Sequence, residues 1–174
     1  MLEFKILLAA GVPSPATHLL SNHYNQTRAE YYRQLDLASR SGGDLLPMLD
    51  YAVRGLVDGL HEQIDYIRRQ QWDIAWTDHI HETFRDRNSQ AETRQKHLVL
   101  DLSPHRDPVP LGKIAELSPR VAKAYANRGS KTVTRDLGGL IKLGLVARNE
   151  RGYRAVRETV LAFLPRRVRH GGKE

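Results

Sequence analysis

Apolar residues recur at steps of three and four along the first hundred residues, which is the period of an α-helix. Residues 2–10 contain no turn residue and predict a first helix, which the glycine and two prolines of residues 11–15 end. Further helices are predicted after Ser14, after Thr27 and from Leu45 onward, where an apolar repeat continues to Ile67. The front of the chain is therefore expected to be helical.

Capping residues precede these predicted helices. Ser14 followed by Pro15 is typical of a helix start, and Thr27 with Glu30 three residues later predicts a capping box. Asp44, after the loop of residues 41–43, is expected to cap the long helix.

Polar residues dominate positions 83–96, which predicts an exposed bridging helix or linker, and four prolines follow within residues 104–119. We therefore divide the chain into four segments. They are a helical front domain (1–72), a helical linker (73–106), a second domain (107–168) and a basic tail (169–174).

The second domain has the pattern of a helix-turn-helix. A short helix is predicted over residues 112–117, and a second over 119–126, with Ser118 as its cap. A tight turn at residues 127–129 then leads to a helix over 131–143 with Ser130 as its cap. Two helices joined by a short glycine turn are typical of DNA-binding domains.

The last of these helices is predicted to be amphipathic. Projected at about 100° per residue, its core face carries four apolar residues, Val133, Leu137, Leu140 and Ile141. The opposite face carries Lys131, Arg135 and Lys142, with Gly138 beside them.

A strand, a turn and a second strand are predicted at residues 145–148, 149–152 and 153–156, followed by a helix over 157–164 that packs Val160, Leu161 and Phe163. This order predicts a winged helix-turn-helix, so the expected fold class is mainly α with a small β-hairpin wing. Residues 132–146 resemble the recognition helix and first wing strand of bacterial winged-helix regulators.

The positive charge of the chain is concentrated in the second domain. The chain carries a net charge of +7, but residues 107–174 hold 15 Lys/Arg against 6 Asp/Glu, a net +9, which leaves −2 for residues 1–106. Charge alone would fit a solvated basic surface equally well. Together with the winged-helix pattern it favours DNA as a partner, whereas protein docking is the other use of winged helices. The candidate DNA-binding residues are Ser130, Lys131, Thr132, Thr134, Arg135, Lys142, Arg148, Arg151 and Arg154.

Composition excludes several classes. The absence of cysteine rules out disulfides, thiolate metal sites and a cysteine nucleophile. The absence of cysteine also fits a reducing cytosol, and no apolar run reaches the length of a membrane span, so we expect a cytoplasmic protein without a membrane partner. The apolar repeat of residues 45–67 could form a homodimer, although burial in a core explains it equally well.

Three segments of the front domain form a recognisable pattern: a Gly-x-Pro break within residues 7–15, an Arg-x-x-Tyr-Tyr helix within 25–35, and a Gly-Asp-capped apolar helix within 43–55. With these segments the front domain resembles the C-terminal half of the Fic (Fido) domain. Many members of that family continue into a helical linker and a winged helix, so the resemblance covers nearly the whole chain.

The resemblance implies AMP transfer from ATP to a protein hydroxyl, with Mg²⁺ and a motif H-P-F-x-[DE]-G-N-G-R-x-x-R. This chain lacks the motif, whose final Arg would directly precede Met1, so no catalytic residue and no cofactor are expected in it. The alternative is a fragment of a Fic protein adenylyltransferase whose winged helix docks a protein. Family likeness also marks Tyr31, Tyr32 and Ser39 as a residual nucleotide site, although the two tyrosines could simply pack.

Two weaker patterns carry no predicted site. His79 and His81 would point about 200° apart on a helix, so we expect no metal there. Trp72 and Trp76 are one turn apart and are predicted to pack in a core or between domains.

Overall fold

The computed structural model describes residues 2–163, which fold mainly as α-helices with one two-stranded antiparallel sheet. This confirms the predicted mainly α class. The chain divides into two compact units between Arg69 and Gln70. No helix within the described residues combines the length and the apolar character that crossing a membrane requires.

The first unit consists of helices joined by short turns. They are α1 (Leu2–Ala9), α2 (Leu19–Gln26), α3 (Arg28–Arg40) and the first part of α4 (Leu46–Thr83), with one 3₁₀ turn at Ser14–Ala16. The predicted first helix and the long helix after Leu45 are both confirmed.

Two of the predicted caps in this unit are wrong. Ser14 lies inside the 3₁₀ turn rather than before it. Thr27 precedes α3, but its φ of −112° and ψ of 38° are not the extended backbone of a capping residue, and its hydroxyl donates to the carbonyl of His23 instead. Glu30 accepts from Arg33 and Gln34, so no capping box forms. Asp44 lies two residues before α4 rather than at its capping position, although its carboxylate accepts the Leu46 N–H at 3.0 Å.

The second unit begins with the last turns of α4. It continues with α5 (Gln90–Leu102), α6 (Leu111–Ile114), α7 (Pro119–Tyr125), α8 (Ser130–Lys142), β1 (Val146–Asn149), β2 (Gly152–Ala155) and a 3₁₀ helix at Arg157–Phe163. The predicted order of helices, turn and hairpin is confirmed, as is Ser118, whose hydroxyl accepts the Val121 N–H at 3.1 Å.

Two details of this unit differ from the prediction. Ser130 is the first residue of α8 rather than its cap, because Gly129 occupies the capping position. The final helix is 3₁₀ rather than α. Val160 is buried, as expected. Leu164, the basic tail and the side chains of Leu161 and Phe163 lie outside the described part of the chain.

The core of the second unit corrects the expected linker. Six apolar residues of the segment 73–106 belong to this core, namely Trp76, Ile80, Phe84, Leu98, Val99 and Leu102. The polar stretch misled the prediction because only one side of α5 packs inward. Its first turn carries the capping box that Thr27 lacks, formed by Ser89 and Glu92. The segment is therefore part of the second unit, not a separate linker.

Hydrogen bonds hold the two tryptophans and the hairpin in place. The indole N–H groups donate to the Ser103 hydroxyl, from Trp76 at 2.6 Å, and to the Arg157 carbonyl, from Trp72 at 3.0 Å, so the predicted packing role is confirmed. Val109 exchanges two backbone hydrogen bonds with Tyr153, at 2.8 and 2.9 Å, and so ties β2 to the segment before α6.

The turn of the hairpin depends on two residues. Asn149 Oδ1 accepts the N–H groups of Arg151 and Gly152 at 2.9 and 3.0 Å. Gly152 has a φ of +143°, and a Cβ at this position would overlap the Val109 carbonyl. Only glycine therefore allows the close approach that anchors the hairpin.

Candidate nucleic-acid interface

Helix α8 has an apolar and a cationic side as predicted, except that Asp136 is buried where Ile141 was expected. Val133, Leu137 and Leu140 are buried in the core of the second unit. The fourth predicted core residue, Ile141, is 39% exposed. Its place on the buried side is taken by Asp136, which has no exposed surface.

Asp136 is buried together with its partners. Its Oδ2 atom accepts a hydrogen bond from Arg94 Nε of α5 at 2.6 Å and another from the Tyr125 hydroxyl of α7 at 2.9 Å. The Oδ1 atom is buried and has no partner among the described residues. These contacts connect α8 to both neighbouring helices.

The sequence did not predict this cluster. On a helical projection Asp136 and Ile141 flank the arc of Val133, Leu137 and Leu140 on opposite sides, each about 40° beyond it, so periodicity does not tell which of the two is buried. A buried acidic residue in such a position requires a partner of opposite charge, which the structure supplies in Arg94.

The electrostatics agree with an ion pair in a low-dielectric setting. A hydrogen bond from its side chain to Asp136 raises the pKa of Arg94. Burial, and then the negative charge of Asp136, raise the pKa of the Tyr125 hydroxyl above its ordinary value of 10. The cluster therefore holds one cation, one anion and a neutral phenol. Asp136 is the only acidic residue of α8, and its charge is paired with that of Arg94 inside the protein.

The outward side of α8 is consequently cationic. Lys131, Arg135 and Lys142 are exposed, and within residues 2–163 none of them forms an ion pair. Helical geometry places all three within about 40° of one another along roughly 16 Å of helix. We call these three residues the basic face.

Hydroxyl groups and an open glycine accompany the basic face. Ser130 and Thr134 are exposed, whereas Thr132 is half-buried. The Thr134 hydroxyl donates to the Ser130 carbonyl at 3.1 Å, which leaves its oxygen free to accept a further hydrogen bond. A Cβ added at Gly138 would meet no atom within 4 Å, so a partner could approach the helix closely there.

The three predicted arginines of the hairpin differ in their surroundings. Arg151 is exposed at the turn, and the exposed Arg148 has its guanidinium 5.8 Å from the centre of the Tyr153 ring. Arg154 is half-buried and donates to Glu158 at 2.7 Å, so part of its charge is already compensated. Arg148 and Arg151 are the better placed to contact an anion.

Two further cations were not predicted as site residues. Lys123 of α7 and Arg128 of the turn before α8 are exposed and have no ion pair within the described chain. Arg120 differs, because it binds Asp101, which also accepts from Ser118. The absence of an ion pair distinguishes Lys123 and Arg128 from Arg120, and pairing cannot be read from the sequence.

The predicted nucleotide residues lie on α3. Tyr31 is half-buried, with its ring 4.7 Å from Tyr24 and 5.6 Å from Tyr32. Tyr32 is 59% exposed, and Ser39 is exposed about 10 Å further along the helix. The structure brings the two tyrosines together in an aromatic cluster, and it does not bring Ser39 to them.

No family model, curated protein or solved structure matches this chain. The described residues also include no group of three side chains arranged to hold a metal ion.

Proposed function

We propose that the second unit is a winged helix-turn-helix module that binds duplex DNA, with α8 as its recognition helix and the β1–β2 hairpin as its wing. The observation that carries this proposal is the pairing of Asp136 with Arg94 inside the core. Because the one acidic residue of α8 is turned inward and neutralised, the side of the helix that a ligand would meet carries positive charge alone.

The dimensions and chemistry of α8 suit the major groove. An α-helix about 10–12 Å across fits a groove about 12 Å wide. Arg135 and Lys131 can donate to the acceptor edge of guanine, and the methyl group of Thr134 can contact that of thymine. Lys142 and the hairpin residues Arg148 and Arg151 supply phosphate contacts, which fix position without reading sequence.

Protein docking is supported less well by the same surface. Protein interfaces have an apolar centre that is depleted in lysine. On α8 the one exposed large apolar residue is Ile141, at 39%, and the described part of the second unit exposes two others, Ile74 and Leu111. A cationic surface with so little apolar area favours a polyanion over a protein partner.

For the front unit we propose a Fic-like scaffold with a regulatory role and no activity of its own. The alternative, a fragment of an adenylyltransferase, gains no support from the described contacts. Tyr31 packs against other rings, and Tyr32 and Ser39 lie exposed and apart.

Fluorescence anisotropy with a labelled duplex tests the proposal. Replacing Arg135 and Arg151 together by alanine is expected to weaken binding about tenfold or more, since one base contact and one phosphate contact are lost. Replacing Arg28 and Arg69, two exposed arginines of the first unit, is the matched control with the same change in charge. Equal losses from both double variants would contradict a specific role for the basic face and hairpin.

A further inference from the structure

One side of α4 exposes a continuous row of apolar side chains. We call this row the leucine stripe, and its members are between 42% and 73% exposed. They are Leu46, Leu49, Val53, Val57, Ile64 and Ile67. All six lie in the first unit. A contiguous apolar surface of this kind on a folded protein marks an interaction site.

The other side of the same helix is already packed. Gly55 lies directly beneath the ring of His23 in α2, where a Cβ would overlap the imidazole, and a Cβ at Gly59 would lie 3.3 Å from Leu19. Tyr51 also faces His23, with ring centres 4.8 Å apart. The small residues fix α4 against α2, so the helix presents the leucine stripe on its free side.

Four members of the leucine stripe follow the heptad spacing of a coiled coil. Leu46, Val53 and Ile67 share the first heptad position with the half-buried Leu60, and Leu49 shares the fourth position with the half-buried Leu56. Val57 and Ile64 lie beside this seam. Apolar residues at the first and fourth positions of successive heptads form the seam of paired helices. The repeat covers about 32 Å of helix, close to three heptads.

The charges beside the stripe select the kind of partner. Asp50 pairs with Arg54 at 2.8 Å, and Asp65 pairs with Arg68 at 3.4 Å, so acids and bases alternate and largely cancel. A helix that lies on a membrane surface is instead rich in lysine and arginine on its polar face. Balanced charges around an apolar heptad seam match a second surface with the same features.

We propose that the leucine stripe binds the leucine stripe of a second copy of this chain and forms a two-helix coiled coil. A symmetric contact of this kind uses one patch twice and closes after two subunits. If the proposed DNA function also holds, the dimer carries two recognition helices and favours a site with two-fold symmetry. The contact itself does not depend on that function.

Sedimentation equilibrium of the full chain tests the contact without DNA. The expected mass is twice the 19.8 kDa of one chain at micromolar concentration. Val53→Glu places two carboxylates in the seam and is expected to weaken association at least 100-fold. Thr77→Glu adds the same charge at an exposed position of α4 outside the stripe and should leave the dimer intact. Circular dichroism checks that each variant retains its helices.

A crosslinking experiment locates the interface. Because the chain has no cysteine, Val57→Cys introduces a single thiol near the middle of the stripe, where parallel and antiparallel pairings both bring it close to its copy. A short bismaleimide is expected to join this variant into dimers. It should not join Asp58→Cys, because that side chain lies about 100° round the helix from Val57 and outside the stripe.

Three results would overturn the proposal. They are a monomeric wild-type chain at 100 µM, equal crosslinking of the two cysteine variants, and a dimer that Val53→Glu and Thr77→Glu leave equally stable. Binding of the stripe to lipid vesicles or to a different protein by a chain that stays monomeric would assign the surface to another occupant.

Discussion

The two units differ in how many of their apolar side chains they bury. Within the described residues, eighteen apolar side chains form the closed core of the second unit, whereas only Ala16, Leu20 and Ala38 are buried apolar residues in the first. Large exposed apolar side chains show the reverse distribution, with thirteen in the first unit and three in the second. The second unit therefore buries most of its large apolar side chains, whereas the first leaves many of its own exposed.

Charged residues follow the same division. The first unit pairs its ions at the surface, for example Arg40 with Asp36 at 2.9 Å, where water screens the interaction. The second unit buries Arg94 with Asp136. Stability in the second unit is thus expected to depend on single residues of its interior, whereas the first should tolerate most single changes.

The largest expected difference concerns these ion pairs. Arg94→Met leaves the Asp136 carboxylate buried without its cation, which we expect to reduce the free energy of unfolding of the second unit by about 3–5 kcal/mol. Arg40→Met should change stability by less than about 1 kcal/mol. Urea unfolding followed by tryptophan fluorescence measures the first effect, because Trp72 and Trp76, the only tryptophans, lie in the second unit. Circular dichroism measures the second. Similar losses would contradict the contrast between the units.

Apolar truncation should separate the units nearly as well. Leu137→Ala removes a fully buried side chain and is expected to cost the second unit about 2–5 kcal/mol through lost burial and a cavity. Leu49→Ala truncates a residue that is 56% exposed and should cost less than about 0.5 kcal/mol in the monomer. Unfolding at submicromolar concentration checks both values, since association is then minimal. A large loss from Leu49→Ala in monomeric protein would mean that the stripe is buried.

A smaller effect concerns alkaline pH. Burial and the charge of Asp136 raise the pKa of Tyr125 in the folded state above 10, so the stabilisation is fully present below pH 10 and is lost as the pH rises further. We expect the second unit to lose up to about 1.4 kcal/mol per pH unit above 10, because the unfolded chain releases this proton first. Tyr125→Phe should remove that part of the dependence. A slope that Tyr125→Phe leaves unchanged would assign the loss to other groups.

Local sequence patterns predicted the second unit well where a single element determined the outcome. The Ser118 cap, the glycine turn before α8 and the Gly152 hairpin each depend on a few adjacent residues. The predicted start of the second unit at residue 107 is wrong because the core residues of α4 and α5 lie far along the chain from α8. The polar face of α5 conceals its buried side when only composition is considered.

Periodicity also could not distinguish burial from exposure. The repeat of residues 45–67 predicts an amphipathic helix, and it is the same whether a core or a partner covers the apolar side. The packing of Gly55 and Gly59 on α2 decides this question in the structure, because it shows which side of α4 is already occupied. Likewise, only the contact with Arg94 explains why Asp136 can lie among apolar residues.

The most direct test of the central claim is the salt dependence of DNA binding by the full chain. If Lys142, Arg148 and Arg151 contact one phosphate each, the logarithm of the association constant should fall with the logarithm of salt concentration with a slope of about −3. Arg135→Ala with Arg151→Ala should reduce the magnitude of that slope by about 1, because Arg151 is the phosphate contact of the two. An absence of binding, or binding whose slope is near zero, would contradict the proposed DNA-binding role of the second unit.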